Sequence, residues 1–377
     1  MTPRGSMFSF LLRCTAAALL LSSGLSCGDA SAARGDTLAD RTNRGLVELL
    51  TSGDAASIQM AQDLATVLDD GATRRVLPVI GHGAVEGLVD LAALRGVDMT
   101  IVQTDVLDYA KQHQTPPNIE TITYIAKLHN EELHVLARPE IGQLQDLAGK
   151  KVEFAGGARV TGPAVMGLLK INVQALFDDH ALALQKLASG DVAAIAYVAA
   201  KPTPIFDRFG GGDRLHFLAV PMTPALAKAY VPAQLTAADY PRLIGADAPV
   251  DTIAVGTALV VAKLQPDSER YRNVANFVDA FFTQFPRLQQ PPHHPKWGEV
   301  NLAAELPGWK RFPPADAWLK SNAVASAQPL NEKDLRDIFA KFLDERSKLS
   351  GGRTFSAEEK DQLFDQFQRW QQSSDAR

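Results

Sequence analysis

Residues 76–91 read VLPVIGHGAVEGLVDL. An apolar run stops at Gly81, a glycine-containing turn follows, and apolar residues then recur at helical spacing. That is the outline of a β-strand, a tight turn and a crossover helix. The turn does not fit a dinucleotide site: G-x-G-x-x-G would need glycine at position 86, which is Glu86. No G-x-x-x-x-G-K-[ST] occurs elsewhere.

Working outward, the unit repeats. GLVELL and MTIVQ read as strands on either side, SIQMAQDLATVLDD has apolar residues near a 3.6 period, and Thr104-Asp105 opens a helix over VLDYAKQH. This is β-α-β-α-β, a parallel sheet with crossover helices. TITYIAKL and ELHVLA follow as two strands able to run antiparallel. A second series starts after Pro139: KKVEFA as strand, GGARVTG as turn, PAVMGLLKI as helix, ALALQKLASG as a helix ending at Gly190, then DVAAIAYV and LHFLAV as strands. TIAVGTALVVA is a long β run, and YRNVANFVDAFFTQF is an amphipathic helix. PPHHPKWG reads as a solvated proline-rich loop carrying His293 and His294. LNEKDLRDIFAKFLDERSKL and SAEEKDQLFDQFQRWQQ read as two polar amphipathic helices, the second with a capping-box pattern at Ser356 and Glu359.

The start of the chain points to export. Arg4 precedes and Arg13 interrupts FSFLLRCTAAALLL, and Ala30-Ser31-Ala32 fits an A-x-A cleavage site, which reads as a cleaved signal peptide leading to the periplasm. The apolar run is shorter than the ~20 residues of a spanning helix. Lipidation at Cys27 is the alternative, behind a poor lipobox of Gly24-Leu25-Ser26. Loss of a 32-residue leader carrying Arg4, Arg13 and Asp29 from a 377-residue chain of charge −5 leaves 345 residues at −6. Both cysteines, Cys14 and Cys27, go with it. The mature chain then has no disulfide and no cysteine nucleophile. Its acidity and lack of a basic tract argue against nucleic acid as a partner, and its length suits two lobes.

Five strand ends open into small or polar turns: TSGDAAS, GHGAVE, QTD, GGARVTG and AAKPTP. In open α/β sheets ligands bind outside the carboxyl ends of strands, where helix starts offer free N–H groups. Two such lobes facing each other form a cleft suited to a small carboxylate. Catalytic signals are thin. His129, Glu131, Glu132 and His134 in LHNEELHVL resemble a zinc motif, but the histidines are five apart with β-like flanks, and H-E-x-x-H needs four on a helix. Asp54, Asp105 and Glu132 are candidate hydrolytic carboxylates that capping and hinge roles explain equally well. No G-x-S-x-G elbow is present.

GLVELLTSGDAASIQMAQDLATVLDD, RVLPVIGHGAVEGLVDLAALRGVDMTIVQTDVL, NEELHVLARPEIGQLQDLAGKKV, LQKLASGDVAAIAYVAAKPTPIF, YPRLI and TIAVGTALVVA, in this order, resemble the TAXI-type solute receptors of tripartite ATP-independent periplasmic (TRAP) transporters, from about Arg44 to Trp318. The resemblance implies a two-lobe, type II-like periplasmic-binding-protein fold with a hinge and an interlobe cleft. It implies ligands that are mostly amino-acid or organic-acid carboxylates, delivered to integral-membrane transporter subunits. Gln103, Asp105, Glu132, His134, Thr161, Lys201 and Pro202 match that family. Ala55-Ala56-Ser57 replaces its Gly-Thr-Tyr, Ala84 and Gly87 stand near its Ser and Asn, and Arg159-Val160-Thr161 replaces its Ser-Gly-Thr.

The expected organisation is a leader at 1–32, lobe 1 at 33–138 with 250–320, lobe 2 at 139–249, and a helical extension at 321–377. The expected cleft is lined by Ser52, Asp54, Ser57, Gln103, Thr104 and Asp105 from lobe 1, and by Arg159, Thr161 and Lys201 from lobe 2. Gly53, Gly81, Gly83, Gly156 and Gly157 would allow close backbone approach. No metal or organic cofactor and no catalytic residue is implied. An orphan sensory receptor of the same fold, a periplasmic hydrolase and a member that binds nothing are the competing readings.

Overall fold

Two of the strands read from the sequence are one. In the computed structural model, which describes residues 37, 43–207, 209, 215–326, 356, 358, 360, 361 and 364, TITYIAKL and ELHVLA form a single 15-residue strand, β4 (Thr123–Ala137). No glycine or proline interrupts it, and its polar centre from His129 to Glu132 is buried rather than turned. The leader and nearly all of the extension beyond Ser326 lie outside the described residues, as does the capping-box Glu359.

The strands are β1 (Leu46–Thr51), β2 (Arg75–Ile80), β3 (Val97–Gln103), β4, β5 (Lys151–Gly156), β6 (Gln174–Leu176), β7 (Ala194–Ala199), β8 (His216–Phe217), β9 (Val231–Leu235) and β10 (Val250–Val261). The helices are α1 (Ala55–Leu68), α2 (Ala84–Ala93), α3 (Thr104–His113), α4 (Ala158–Leu168), α5 (His180–Ser189), α6 (Glu269–Leu288) and α7 (Pro313–Ser326). The sheet order is β2-β1-β3-β10-β4-β7-β5-β6, with β8 on β4 and β9 on β10. Strands β1, β2 and β3 pair in parallel, as do β5, β6 and β7, and β10 runs antiparallel between β3 and β4.

This is the expected α/β architecture of two lobes, with β4 and β10 shared between them. Each half of the sheet is buried on both faces, so its strands read as near-continuous apolar runs. In the first lobe Leu49, Met99 and Leu259 pack under α1 and α6 with Phe277, Phe281 and Trp297. Their alternates, Leu50, Val102 and Val260, pack under α2 and α3 with Leu88 and Leu107. The second lobe repeats the pattern, with Phe154, Ala196 and Val198 on one face and Ile195, Tyr197 and Leu187 on the other. Two strands pass between the lobes. In β4 the core changes between Leu128 and Leu133, and in β10 between Val255 and Ala258. The lobe boundaries read from the sequence, at 138/139 and 249/250, fall at strand ends. The cores divide inside the strands, because neither chain segment turns where it changes lobe.

Local chemistry explains the helix ends. Asp54 caps α1 by accepting the Ser57 N–H at 2.9 Å, and Asp179 caps α5 by accepting from Ala181 and Leu182. Helix α5 ends on Gly190 at φ 88°, a left-handed conformation that glycine adopts without strain. Three sequence readings need correction. GGARVTG is not a turn: α4 begins at Ala158 and carries Pro163 within it, so Arg159 is helical. LHFLAV forms only the two-residue β8. His293 and His294 are not in a solvated loop. Asp63 of α1 accepts the His294 N–H at 2.8 Å and the Trp297 Nε1–H at 2.9 Å, with His293 Nδ1 at 3.1 Å. A buried carboxylate needs donors, and this proline-rich segment supplies them.

His134 lies in the second lobe against the rings of Phe206, Phe217 and Tyr240. Tyr240 Oη takes the Thr203 N–H at 3.0 Å and lies 2.7 Å from His134 Nε2, so the phenol donates to a neutral imidazole. Burial pushes this histidine down to about 3. Below its ordinary value of 6.5 the unfolded chain takes up a proton that the folded chain refuses. The stability this neutral site supplies is therefore full above pH 6.5 and falls as pH drops towards 3, by ~1.4 kcal/mol per pH unit. Urea unfolding at pH 7 and pH 5 should show wild type losing about 2 kcal/mol more than His134→Gln over that interval. Equal losses would mean the imidazole is not held neutral.

Candidate functional site

The carboxyl ends of β1, β2, β3, β5 and β7 open on one cavity of about 190 Å³ between the lobes. From lobe 1 it is lined by Ser52, Gly53, Asp54, Ser57, Gly81, His82, Gly83, Gln103, Glu131 and Thr257. From lobe 2 come Gly156, Gly157, Arg159, Asp178, Asp179, His180 and Tyr197. All five glycines expected for backbone approach are among them. So are Ser52, Asp54, Ser57, Gln103 and Arg159.

Five helix starts converge here, and they differ. That of α3 presents its cap Gln103, with no side-chain cap hydrogen bond. The start of α1 is occupied by Asp54, which also accepts from Ser52 Oγ at 2.6 Å, and the start of α5 by Asp179. The starts of α2 and α4 have glycine caps, Gly83 and Gly157, and no side-chain cap, but α2 carries Glu86 in its first turn, beside Gly83. Helix α4 has no acidic residue in its first turn, and Arg159 is its second residue. One guanidinium nitrogen, Nη2, donates to the Phe177 carbonyl at 2.7 Å, which fixes the side chain. The uncapped start of α4, its helix-end potential and a guanidinium thus border the same cavity.

The wall around Glu131 is acceptor-rich. Glu131 is 2% exposed and takes one hydrogen bond, from Gln103 Nε2 at 2.7 Å. His129 Nε2 stands 3.7 Å from Glu131 Oε1, and Thr257 Oγ1 donates to the His129 carbonyl at 2.9 Å. Burial pushes the Glu131 carboxyl above its usual range. His129 and Gln103 act against this, and the Asp54 charge adds to it. The Tyr197 hydroxyl is raised by burial and then by Asp54 and Glu131.

Four residues expected in the cleft do not line the cavity. Asp105, in the first turn of α3, faces across the lobe boundary instead. Tyr230 Oη donates to its Oδ2 at 3.1 Å, and Thr161 lies beside it. Burial raises the Asp105 carboxyl while both hydroxyls hold it down. Asp105 therefore holds the lobes together through Tyr230, and Thr104, half-buried at the start of α3, stands beside that contact. Lys201 reaches away from the cleft, to the Gln234 carbonyl at 2.6 Å and Asp239 at 3.0 Å. The two lobes also touch at Gly157, where a Cβ would lie 2.3 Å from Gln103 Nε2.

The zinc-like quartet separates by strand alternation. His129 and Glu131 face the cavity side. Glu132 and His134 point the other way, the first to Lys296 Nζ at 2.6 Å and the second to Tyr240. Among the described residues no cluster of His, Cys, Asp or Glu has metal-binding geometry, and no helix is long and apolar enough to cross a membrane. Sequence reasoning missed Glu131, Tyr197, His82, Thr257 and the Asp178–His180 segment as cavity residues. Glu131 carried a usable signal: a carboxylate inside an uninterrupted β run must be buried on one face.

The profile of the NMT1-like family matches residues 61–307. No curated protein matches the chain. Among solved structures, the chain is similar to the periplasmic binding protein BugD (14% identity, TM-score 0.43, 74% of this chain and 94% of that one). It is also similar to the alkanesulfonate-binding protein SsuA from Xanthomonas axonopodis pv. citri bound to MOPS (11%, 0.38, 85% and 83%). A third is a TctC solute binding protein from Polaromonas (16%, 0.34, 63% and 88%).

Proposed function

The chain belongs to the NMT1-like family, and from that membership and its cleft we propose an extracytoplasmic solute receptor that hands a small carboxylate-bearing solute to the integral-membrane subunits of a TRAP-type secondary transporter. The observation that carries this reading is an anion-favouring group of donors on the cavity wall. The start of α4, glycine-capped and without an acid in its first turn, faces the same space as Arg159. A carboxylate there accepts helix N–H groups and a guanidinium hydrogen bond at once. Binding closes the lobes by bending the two strands that join them, and the Asp105–Tyr230 bond is a contact of the closed form. The two groups a hydrolytic reading would draw on, Glu132 and His134, are each occupied by a structural partner. Export follows cleavage after Ala32, which the intact mass of periplasmic material checks.

The experiment is titration calorimetry against a carboxylate library with wild type and Arg159→Ala. Removing a charge-assisted hydrogen bond costs ~1.5–3 kcal/mol of binding, roughly a tenfold to hundredfold weaker Kd. Because Arg159 is exposed, the melting curve should move by no more than the equivalent of ~0.5 kcal/mol. Unchanged affinity for the best carboxylate would remove Arg159 from the site.

A further inference from the structure

The Glu131 face of the cavity is built for the opposite charge. Glu131 is 2% exposed, and among the described residues no lysine or arginine lies within ion-pair distance of it. A carboxylate offers about four acceptor positions, and Gln103 Nε2 fills one of them. His129 Nε2, at 3.7 Å, is too far to fill another as a hydrogen bond. The Gln103 Oε1, on a side chain only 6% exposed, has no donor at all. Asp54 borders the same cavity and adds to the negative field at Glu131. Burying one carboxylate beside a second, with an orphaned amide oxygen between strands, costs several kcal/mol unless a cation completes the set.

We propose that this face of the cleft seats a cationic nitrogen of the solute, an ammonium or a guanidinium, between Glu131, Gln103 and Asp54. The inference rests on the receptor reading of the cleft and adds a charge requirement to it. Glu131 and Gln103 Oε1 accept the nitrogen's protons from below, and Asp54 accepts from the rim. The solute's anionic group, seated at Arg159 and the α4 start, lies beside it, because Gly157 abuts Gln103. Specificity then depends on both poles: an acid without the nitrogen leaves Glu131 and Gln103 unsatisfied, which is the stronger form of rejection.

Calorimetry on the mature wild-type protein with matched trios tests this: norvaline, pentanoate and butylamine, then 5-guanidinopentanoate, pentanoate and butylguanidine. The tightest member of the better trio should carry the cationic nitrogen, and pentanoate should bind at least tenfold more weakly than norvaline. Glu131→Gln should weaken the cationic binder tenfold or more. It should leave the melting temperature of the ligand-free protein unchanged or higher, because a buried charge has gone. Pentanoate binding as tightly as norvaline, or Glu131→Gln leaving the cationic binder unaffected, overturns the proposal while the receptor reading stands. Absence of binding by every member, in a protein that also carries no solute when purified from cells, overturns both.

Discussion

Replacing Lys296 with methionine should destabilise the protein by about 3–5 kcal/mol, the largest single-site effect expected here. Lys296 is 5% exposed, and its Nζ sits 2.6 Å from Glu132 Oε1 and 2.8 Å from Glu299 Oε1. Glu132 is also buried, and its other oxygen accepts the Lys201 N–H at 3.0 Å. Burial raises the Glu132 carboxyl while Lys296 holds it down; burial lowers the lysine, and the two glutamates more than offset it. Taking the ammonium away strands a carboxylate in the strand that joins the lobes. Glu299 is 41% exposed on its side chain and adds little, since water replaces its partner. The double variant Lys296→Met with Glu132→Gln should recover most of the loss, because the amide oxygen still accepts from Lys201 and no charge is left buried. Chemical denaturation of the two variants decides it. A single variant within 1 kcal/mol of wild type, on the scale set for buried pairs, would mean water reaches Glu132.

Gly157→Ala should weaken solute binding by roughly tenfold to hundredfold, the equivalent of ~1–3 kcal/mol of overpacking. Its φ is ordinary, so the constraint is space. The added Cβ would lie 2.3 Å from Gln103 Nε2 across the lobe boundary and 2.8 Å from the Val198 carbonyl behind it. Gln103 can move only by leaving Glu131. The methyl group therefore pushes the lobes apart at the cavity and dislodges a cavity residue together. Calorimetry reads the affinity, and small-angle scattering with saturating solute reads a larger radius of gyration than wild type. Wild-type affinity and compactness would show that the two lobes do not meet at Gly157 when the solute is bound.

Much of the fold was legible because the signals were local and repeated. Residues 76–91 announce a strand, a turn and a helix, and β2, Gly83 and α2 are those elements. What misled was punctuation. Pro163 reads as a helix start, yet α4 begins five residues earlier and carries the proline as its sixth residue, forgoing the one bond its N–H would make to the Arg159 carbonyl. The polar run HNEE reads as a break, yet it is where a strand passes from one core to another with side chains sent to alternate faces.

The cavity was legible at its glycines and caps and obscure elsewhere. Ser52, Asp54 and Arg159 sit in turns or helix starts, whose chemistry a short window displays. Tyr197 lies in AIAYV, indistinguishable by composition from its apolar neighbours. Asp105 is close to the cavity in sequence terms but pairs with Tyr230 across the lobes, a contact between residues 125 positions apart that no local pattern encodes.

The place of β10 in the sheet has a consequence for synthesis. Lobe 2 is one unbroken excursion of the chain, and its last strand pairings, those of β9 with β10, are supplied by residue 254. Lobe 1 is different: its sheet is joined between β3 and β4 by the later half of β10, and α6 completes the core face that α1 covers in part. A nascent chain that stops at Val255 thus contains the whole of one lobe and an unfinished other, with the gap between β3 and β4 exposed along both edges. Closing that gap joins segments about 150 residues apart, the slow kind of contact. The half of the molecule that comes first in the sequence is the half that β10 and α6 complete.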